Sequence, residues 1–314
     1  MRTGVAYMGH HNPRHIKTDL EDIRRLGCDD VLLAAQENDF VYMTGKLEFF
    51  PKLARDFGIR PLAIFWGMLN FFGGGRSSQF LLEYPDAHQV SRSGEYNPSG
   101  CYNHTHALGY VKQMIDCIAE LGFEGYFIDE PTLSECFCPA CRALFEEMYS
   151  ADLRQADEAD IKNFRQRCVG RYIELLSGYI KQTYPKMETL CCLMPCDKDV
   201  WDSAAGGKNL DNLGTDIYWV NEDVDVKEMS PLVRDMARIC KSHGKKHHQW
   251  LQCWGVRKGR EQRIKAQGEV LLAEKPDALY IWAYQAQAGT SESCEDPEAA
   301  WEAACGILRK AKQP

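Results

Sequence analysis

Residues 125–131 read Gly-Tyr-Phe-Ile-Asp-Glu-Pro and place two adjacent acids, Asp129 and Glu130, at the end of an apolar run. An apolar run of this length, between a helix that ends at Gly122 and a proline, predicts a buried parallel strand. Burying a carboxylate costs free energy unless it is paired or its pKa shifts. Strand alternation sends the two acids to opposite sides, so we expect one in a cavity and the other in the shell around it.

Similar runs recur along the chain, separated by segments of helical periodicity, and together they predict eight strands. The strands are predicted at Gly4–Met8, Asp30–Ala35, Arg60–Trp66, Gly125–Glu130, Glu188–Met194, Gly214–Trp219, Lys246–Cys253 and Ala278–Tyr284. Helices are predicted at Leu47–Phe57, Ala107–Leu121, Asp160–Thr183, Ser230–Ser242, Arg260–Ala273 and Asp296–Lys310, and a first helix from a capping box of Thr18 and Glu21. Eight alternating units predict a (β/α)8 TIM barrel, and residues 1–314 suit one such domain.

A doubly wound sheet shows the same alternation, so the segment after the first strand decides between the two folds. Residues 9–14 read Gly-His-His-Asn-Pro-Arg, which is not the G-x-G-x-x-G turn of a dinucleotide enzyme. We therefore expect the barrel and no organic cofactor. The connections after the third strand, over residues 67–103, and after the fourth are unusually long, and in a barrel both lie at the C-terminal face that carries active sites.

Composition narrows the class of partner. Hydrophobic residues form 45% of the chain and charged residues 26%, which supports a large core, and the net charge of −8 argues against nucleic acid. We find no secretory signal and no apolar run of membrane-spanning length, so we expect a cytoplasmic protein without a membrane partner. Its fourteen cysteines are then expected to be reduced. The oligomeric state stays open, with a homo-oligomer as one option.

The Asp-Glu-Pro motif at residues 129–131 resembles the Asn-Glu-Pro or Asp-Glu motif of barrel glycoside hydrolases. The resemblance implies that Glu130 is a general acid/base. Hydrolysis requires a second carboxylate, which in the largest clan of these barrels is a glutamate on the seventh strand. Residues 247–254 contain none, so Asp216 on the sixth strand is the leading candidate, as in the α-galactosidase clan, with Asp129 as the alternative. Glu37, after the second strand, is the third candidate.

Sugars present apolar faces and polar edges, so a carbohydrate site combines flat aromatic rings with polar groups. Several such residues fall at the predicted strand ends, although aromatic residues in strands are more often core. We predict Trp66, Trp219 and Trp282 as a sugar platform for a small glycoside or oligosaccharide. The predicted substrate contacts also include Tyr7, His10, Glu37 and Gln252.

Residues 136–141 read Cys-Phe-Cys-Pro-Ala-Cys, directly after the acidic motif. Three closely spaced thiolates suit tetrahedral zinc, and Cys101 is the obvious fourth ligand. One upstream cysteine followed by this C-x-C-x-x-C segment resembles the zinc site of the family-42 β-galactosidases. We predict a structural zinc on Cys101, Cys136, Cys138 and Cys141, with unliganded thiols as the alternative. Cys191, Cys192 and Cys253 fall within strands and are predicted as core residues.

Two other functions fit the same residues. One is a sugar isomerase or aldolase that depends on a divalent metal, held by Glu37, Glu130, Asp216 and a histidine. The other is a noncatalytic sugar-binding barrel, which the missing seventh-strand glutamate suggests.

Overall fold

A closed barrel of eight parallel strands forms the centre of the computed structural model, which describes residues 1–9, 11–73 and 78–313. The barrel strands are, in spatial order, β1 (Arg2–Tyr7), β2 (Asp30–Ala35), β3 (Arg60–Phe65), β6 (Gly125–Asp129), β7 (Glu188–Leu193), β8 (Asn212–Thr215), β9 (Lys246–Gln252) and β10 (Ala278–Trp282). The predicted (β/α)8 barrel is confirmed. The strand predicted at residues 214–219 is shifted, because β8 ends at Thr215 and leaves Asp216 just beyond the strand.

The helices follow the strands and surround the barrel. They are α1 (Pro13–Arg25), α2 (Asp39–Tyr42), α3 (Thr44–Asp56), α4 (Gln79–Glu83), α5 (Ala107–Glu120), α6 (Pro139–Tyr149), α7 (Glu158–Thr183), α8 (Trp201–Ala205), α9 (Ser230–Ser242), α10 (Glu261–Ala273) and α11 (Pro297–Ala311). Short 3₁₀ turns occupy Met68–Gly73, Pro85–Ala87, Leu153–Gln155, Pro195–Val200, Val226–Met229 and Tyr284–Gln287. None of the helices in the described part of the chain is long and apolar enough to cross a membrane.

The first helix begins earlier than the predicted capping box. Asn12 caps it, with a side chain that accepts a hydrogen bond from the Arg14 amide at 3.0 Å, and Pro13 occupies the first helical position. Asparagine followed by proline is a favourable helix start because the cap satisfies a free amide and proline lacks one. Thr18 instead lies inside the helix, where its hydroxyl donates to the Arg14 carbonyl.

The connection after β3 contains an element that the sequence did not indicate. An antiparallel hairpin, β4 (His88–Val90) with β5 (Tyr96–Gly100), lies between the third and fourth barrel strands. Its strands are three and five residues long, and β5 contains proline and glycine, which are uncommon in strands. The hairpin ends directly before Cys101.

Strand alternation divides the core into an inner and an outer cluster. The inner cluster fills the barrel and includes Ala6, Phe127 and Trp250, whereas the outer cluster, between strands and helices, includes Val5 and Tyr126. The N-terminal end of the barrel is closed by ion pairs of the fully buried Asp30 with Arg2 and Arg60. The opposite, C-terminal end carries Asp129 and Glu130.

Candidate active site

Asp129 and Glu130 both reach the C-terminal mouth of the barrel. Asp129 follows Phe127 by two positions and so faces the barrel interior. Glu130 lies just beyond β6, where its backbone has a φ of +39° and its amide donates to the Cys192 carbonyl at 3.1 Å. This left-handed turn breaks the alternation, so the prediction that the two acids point to opposite sides is wrong.

Glu130 and Asp216 form a carboxyl pair. Asp216, the first residue beyond β8, is 3% exposed, and its carboxyl group shares a hydrogen bond with that of Glu130. Burial raises the pKa of Glu130 well above its usual range, and the charge of Asp216 raises it further. Burial also raises the pKa of Asp216 to about 6, an increase limited by the hydrogen bond from Glu130. Glu130 therefore binds a proton more tightly than Asp216, which makes Glu130 the donor of the pair and Asp216 the acceptor.

Asp129 is the third acid at the mouth. Burial raises its pKa well above the usual range, and the neighbouring charge of Glu130 adds to the effect. Asp129 in turn raises the pKa of Asp216. Like charges in one site cannot all ionise at low energy, so this cluster retains protons at neutral pH.

Asp197 is a fourth acid, which was not among the predicted site residues. It lies in the 3₁₀ turn after β7, is 4% exposed, and pairs with Arg165 from α7. Its charge contributes to the raised pKa of Glu130. Its position could have indicated a site residue, because it follows the predicted fifth strand by three residues and barrel active sites draw on the ends of several strands.

The loop that carries Glu130 is held from two sides. From α7, Arg165 donates to the Leu133 carbonyl at 2.7 Å and to Asp199 at 2.8 Å. From the hairpin, the Gln89 side chain donates through Nε2 to the Thr132 carbonyl at 3.3 Å and accepts at Oε1 from the Ser134 backbone amide at 2.9 Å. Gln89 is 1% exposed, so these bonds are shielded from water.

The predicted aromatic platform is only partly assembled. The rings of Trp66 and Trp282 lie 5.7 Å apart, and both belong to the inner cluster. Trp219 does not join them, since it packs against the outer cluster. Tyr218 and Trp254 pack against the inner cluster instead, with their rings edge to face at 5.5 Å. The alternation assumed for residues 214–219 fails because the strand has already ended at Thr215.

Two predicted substrate contacts are engaged elsewhere, and a third lies outside the described residues. Tyr7 points outward, donates to Asp19 at 2.7 Å and stacks on a ring of α3, so it does not face the mouth. Gln252 is buried, and its side chain hydrogen-bonds to backbone groups: it accepts from the Val220 amide at 3.0 Å and donates to the Trp254 carbonyl at 3.3 Å. His10 is the residue that is not described.

Glu37 organises the loop after β3. It is 3% exposed and accepts hydrogen bonds from the Leu69 amide at 2.7 Å, the Phe80 amide at 2.9 Å, the Ser78 hydroxyl at 2.9 and 3.0 Å, and the Tyr110 hydroxyl at 3.0 Å. Four protein donors occupy the acceptor sites of this carboxylate. The geometry fits a structural role better than the predicted contact with substrate.

The predicted grouping of four cysteines is confirmed. The sulfur atoms of Cys101, Cys136, Cys138 and Cys141 are buried and lie within 4.8 Å of one another. A tetrahedral zinc with bonds of about 2.3 Å requires sulfur separations of about 3.8 Å, so small adjustments would close the site around an ion. Among the described residues this is the one group with the geometry of a metal site.

Backbone and amide donors surround these sulfurs. The Val90 amide donates to Cys136 at 3.4 Å and the Asn103 side chain to Cys141 at 3.3 Å. Cys138 caps α6, accepting from the Cys141 amide at 3.4 Å. Donors of this kind stabilise thiolates, so the residues present fit a bound metal cation.

The closed barrel is similar in fold to solved structures of glycoside hydrolases. The β-galactosidase of the Antarctic haloarchaeon Halorubrum lacusprofundi matches with a TM-score of 0.77 at 14% identity, over 99% of this chain and 58% of its own. The β-galactosidase of Bacillus circulans sp. alkalophilus matches with a TM-score of 0.77 at 12% identity, over 99% of this chain and 56% of its own. The endo-β-1,4-mannanase of Thermotoga petrophila matches with a TM-score of 0.62 at 11% identity, over 100% of this chain and 77% of its own.

These likenesses are likenesses of fold. The chain spans less than two thirds of the length of the two β-galactosidases. No family model matches the sequence, and no curated protein does.

Proposed function

We propose that this protein is a glycoside hydrolase that acts on a small glycoside or oligosaccharide, with Glu130 as general acid and Asp216 as base or nucleophile. The observation that carries the proposal is the hydrogen-bonded pair itself. Within this pair Glu130 holds its proton more tightly than Asp216, which supports Glu130 as the acid and Asp216 as the base or nucleophile. Two carboxyl groups whose environments separate their protonation states are what glycoside hydrolysis requires.

The first step transfers the Glu130 proton. In the free protein this proton is donated to Asp216, and in the complex the glycosidic oxygen of the substrate takes the place of Asp216 as acceptor. As the bond to the anomeric carbon breaks, the leaving group keeps the proton and Glu130 becomes a carboxylate. Asp216, released from the hydrogen bond, attacks the anomeric carbon or takes a proton from the attacking water.

Substrate binding must separate the pair. Hydrogen-bonded oxygens lie about 3 Å apart, whereas carboxyl groups are about 5 Å apart in retaining enzymes and about 6.5–9.5 Å apart in inverting enzymes. A sugar bound between the two side chains supplies this separation. Asp129 is the alternative partner, but burial raises its pKa well above the usual range, so it holds its proton and is less often in the ionised form that a base or nucleophile requires.

The cysteine group supports a structural rather than a catalytic metal. Four thiolates would hold zinc and leave no open position for substrate. When bound, the ion would cross-link the end of the hairpin, at Cys101, to the segment that follows the Glu130 loop.

The divalent-metal alternative receives less support. It requires Glu37 as a ligand, but four protein donors already occupy that carboxylate. Noncatalytic sugar binding uses the same mouth and predicts no turnover.

A panel of aryl glycosides tests the proposal. We expect turnover by the wild type and a loss of about 10²–10⁴-fold in kcat/KM for Glu130→Gln, smaller for substrates with very acidic leaving groups, which need no proton. Asp216→Asn should lose activity with every leaving group. Glu135→Gln is the matched control, because Glu135 is an exposed acid of the same loop.

The panel also distinguishes the alternatives. Sugar binding without turnover by the wild type would refute hydrolysis and favour the binding protein. Full activity in Glu130→Gln would refute the assignment of the acid, and loss in Glu130→Gln and Asp129→Asn with an active Asp216→Asn would make Asp129 the partner.

A further inference from the structure

Cys192 lies inside the barrel, directly below the carboxyl pair. It belongs to the inner cluster and is 1% exposed. In the strand register it is paired with Asp129 on one side and with Gly214 on the other. A residue that the sequence predicted as ordinary core therefore shares a layer of the barrel with one of the acids.

Cys192 adjoins both members of the pair. Its carbonyl accepts the Glu130 amide at 3.1 Å, and its inward-facing side chain lies beside Gly214, two residues before Asp216. Burial and the neighbouring carboxylates raise the pKa of the thiol well above its usual range, so the sulfur keeps its proton and is available as a donor. The thiol is not used in the proposed reaction.

The other groups around Asp216 do not supply an equivalent donor. Glu130 shares its proton with Asp216 in the free protein, but gives that hydrogen bond to the substrate in the proposed reaction. Asp129 faces Asp216 from β6 as an acid and raises its pKa, and the pKa of Tyr218 is raised first by burial and then by the nearby charge of Asp216. The second carboxylate oxygen of Asp216, Oδ1, has no partner among the described residues.

We propose that Cys192 is a positioning residue whose thiol donates a hydrogen bond to Asp216 and keeps that carboxyl group ionised and oriented. The proposal rests on the proposed function only for its catalytic consequence. The hydrogen bond itself favours the anion of Asp216 whether or not a glycoside is the substrate. Losing the donor should therefore make Asp216 harder to ionise.

The test compares Cys192→Ala with Cys192→Ser. Alanine removes the donor, and serine restores one as a hydroxyl group. The matched control is Cys191→Ala, because Cys191 is the adjacent residue of β7, is fully buried, and faces the outer cluster instead. It removes the same sulfur atom from the same strand without removing the contact with Asp216.

The first readout is independent of activity. Protein carrying ¹³C-carboxyl aspartate is titrated by NMR, with the Asp216 resonance assigned through its loss in Asp216→Asn. We expect the midpoint for Asp216 to rise by about half to one pH unit in Cys192→Ala, as a weak donor to a charged group is lost. It should stay near the wild-type value in Cys192→Ser and Cys191→Ala.

The second readout is the pH profile of kcat/KM. With the midpoint raised by one unit, Cys192→Ala should lose about tenfold at pH 5 and little at pH 8, where Asp216 is ionised in both proteins. An unchanged Asp216 titration in Cys192→Ala, or the same shift in Cys191→Ala, would overturn the proposal. A shifted titration in a protein that hydrolyses no glycoside would instead overturn the proposed function and leave the hydrogen bond established.

Discussion

Replacing Arg165 with methionine tests how the Glu130 loop is held. The guanidinium group bonds to Leu133, Asp199 and Asp197, and Asp197 is 4% exposed. Arg165→Met leaves the Asp197 carboxylate buried without its partner, and breaking a buried ion pair in this way costs about 3–5 kcal/mol. We expect the free energy of unfolding at pH 8 to fall by that amount.

The pH dependence gives the prediction its sign. Burial already raises the pKa of Asp197 in the folded protein, and Arg165 opposes this rise. Without Arg165 the folded-state pKa rises further above the unfolded value, so the folded protein binds the proton more tightly. The penalty is then full at a pH above the folded-state pKa and shrinks as the pH falls toward the unfolded value.

Urea unfolding at pH 8 and pH 5 measures both effects. The double variant Arg165→Met with Asp197→Asn should recover much of the lost stability at pH 8, because no buried charge remains, and should differ little between the two pH values. Arg165→Lys keeps the charge but not the three-way geometry, so it should lose less than Arg165→Met. Equal stability of wild type and Arg165→Met, or no recovery in the double variant, would refute the reasoning.

Three further predictions concern the other buried groups. Metal analysis of the purified protein should find about one zinc per chain, and removing the zinc with a chelator should lower the melting temperature before it lowers the catalytic rate. A protein purified without metal that is as stable as the zinc-loaded protein would contradict this prediction. Activity should fall as the pH drops through about 6, where Asp216 takes up a proton. Thermal melts should show that Asp216→Asn is more stable than the wild type at pH 8, where the wild type buries a charge, but not at pH 4. Glu37→Ala should lower the free energy of unfolding by several kcal/mol through its unsatisfied buried donors, and a variant of normal stability with only a raised KM would return Glu37 to the substrate site.

The barrel could be predicted because its signals are local. Each strand is an apolar run followed by a helix and a glycine, and the count of eight determines closure. Asp129 and Glu130 could be singled out in the same way, as acids that end an apolar strand. The cysteine spacing at residues 136–141 predicted three metal ligands, and the upstream Cys101 was predicted as the fourth. The hairpin, which the sequence did not indicate, is the element that brings Cys101 next to the other three.

The tertiary structure decided which side chains face the mouth. Tyr7 was predicted to contact substrate but packs outward, and Trp219 was expected in the platform but lies in the outer cluster. Tyr7 follows the alternation of β1 and shares the outer face with Val5, whereas Trp219 lies beyond the end of β8, where strand alternation no longer sets its direction. The left-handed backbone at Glu130 also breaks the alternation of the strand. The neighbouring residues do not predict that an acidic residue adopts this conformation.

The sequence by itself determined the fold, the Glu130 motif and the cysteine group, because periodicity and spacing are properties of consecutive residues. The pairing of Glu130 with Asp216, and the placement of Cys192 beneath them and of Asp197 beside Glu130, required the closed barrel. These residues belong to strands and loops separated by tens of positions, and their protonation depends on burial and on distances across the mouth. Such distances exist only once the chain has folded.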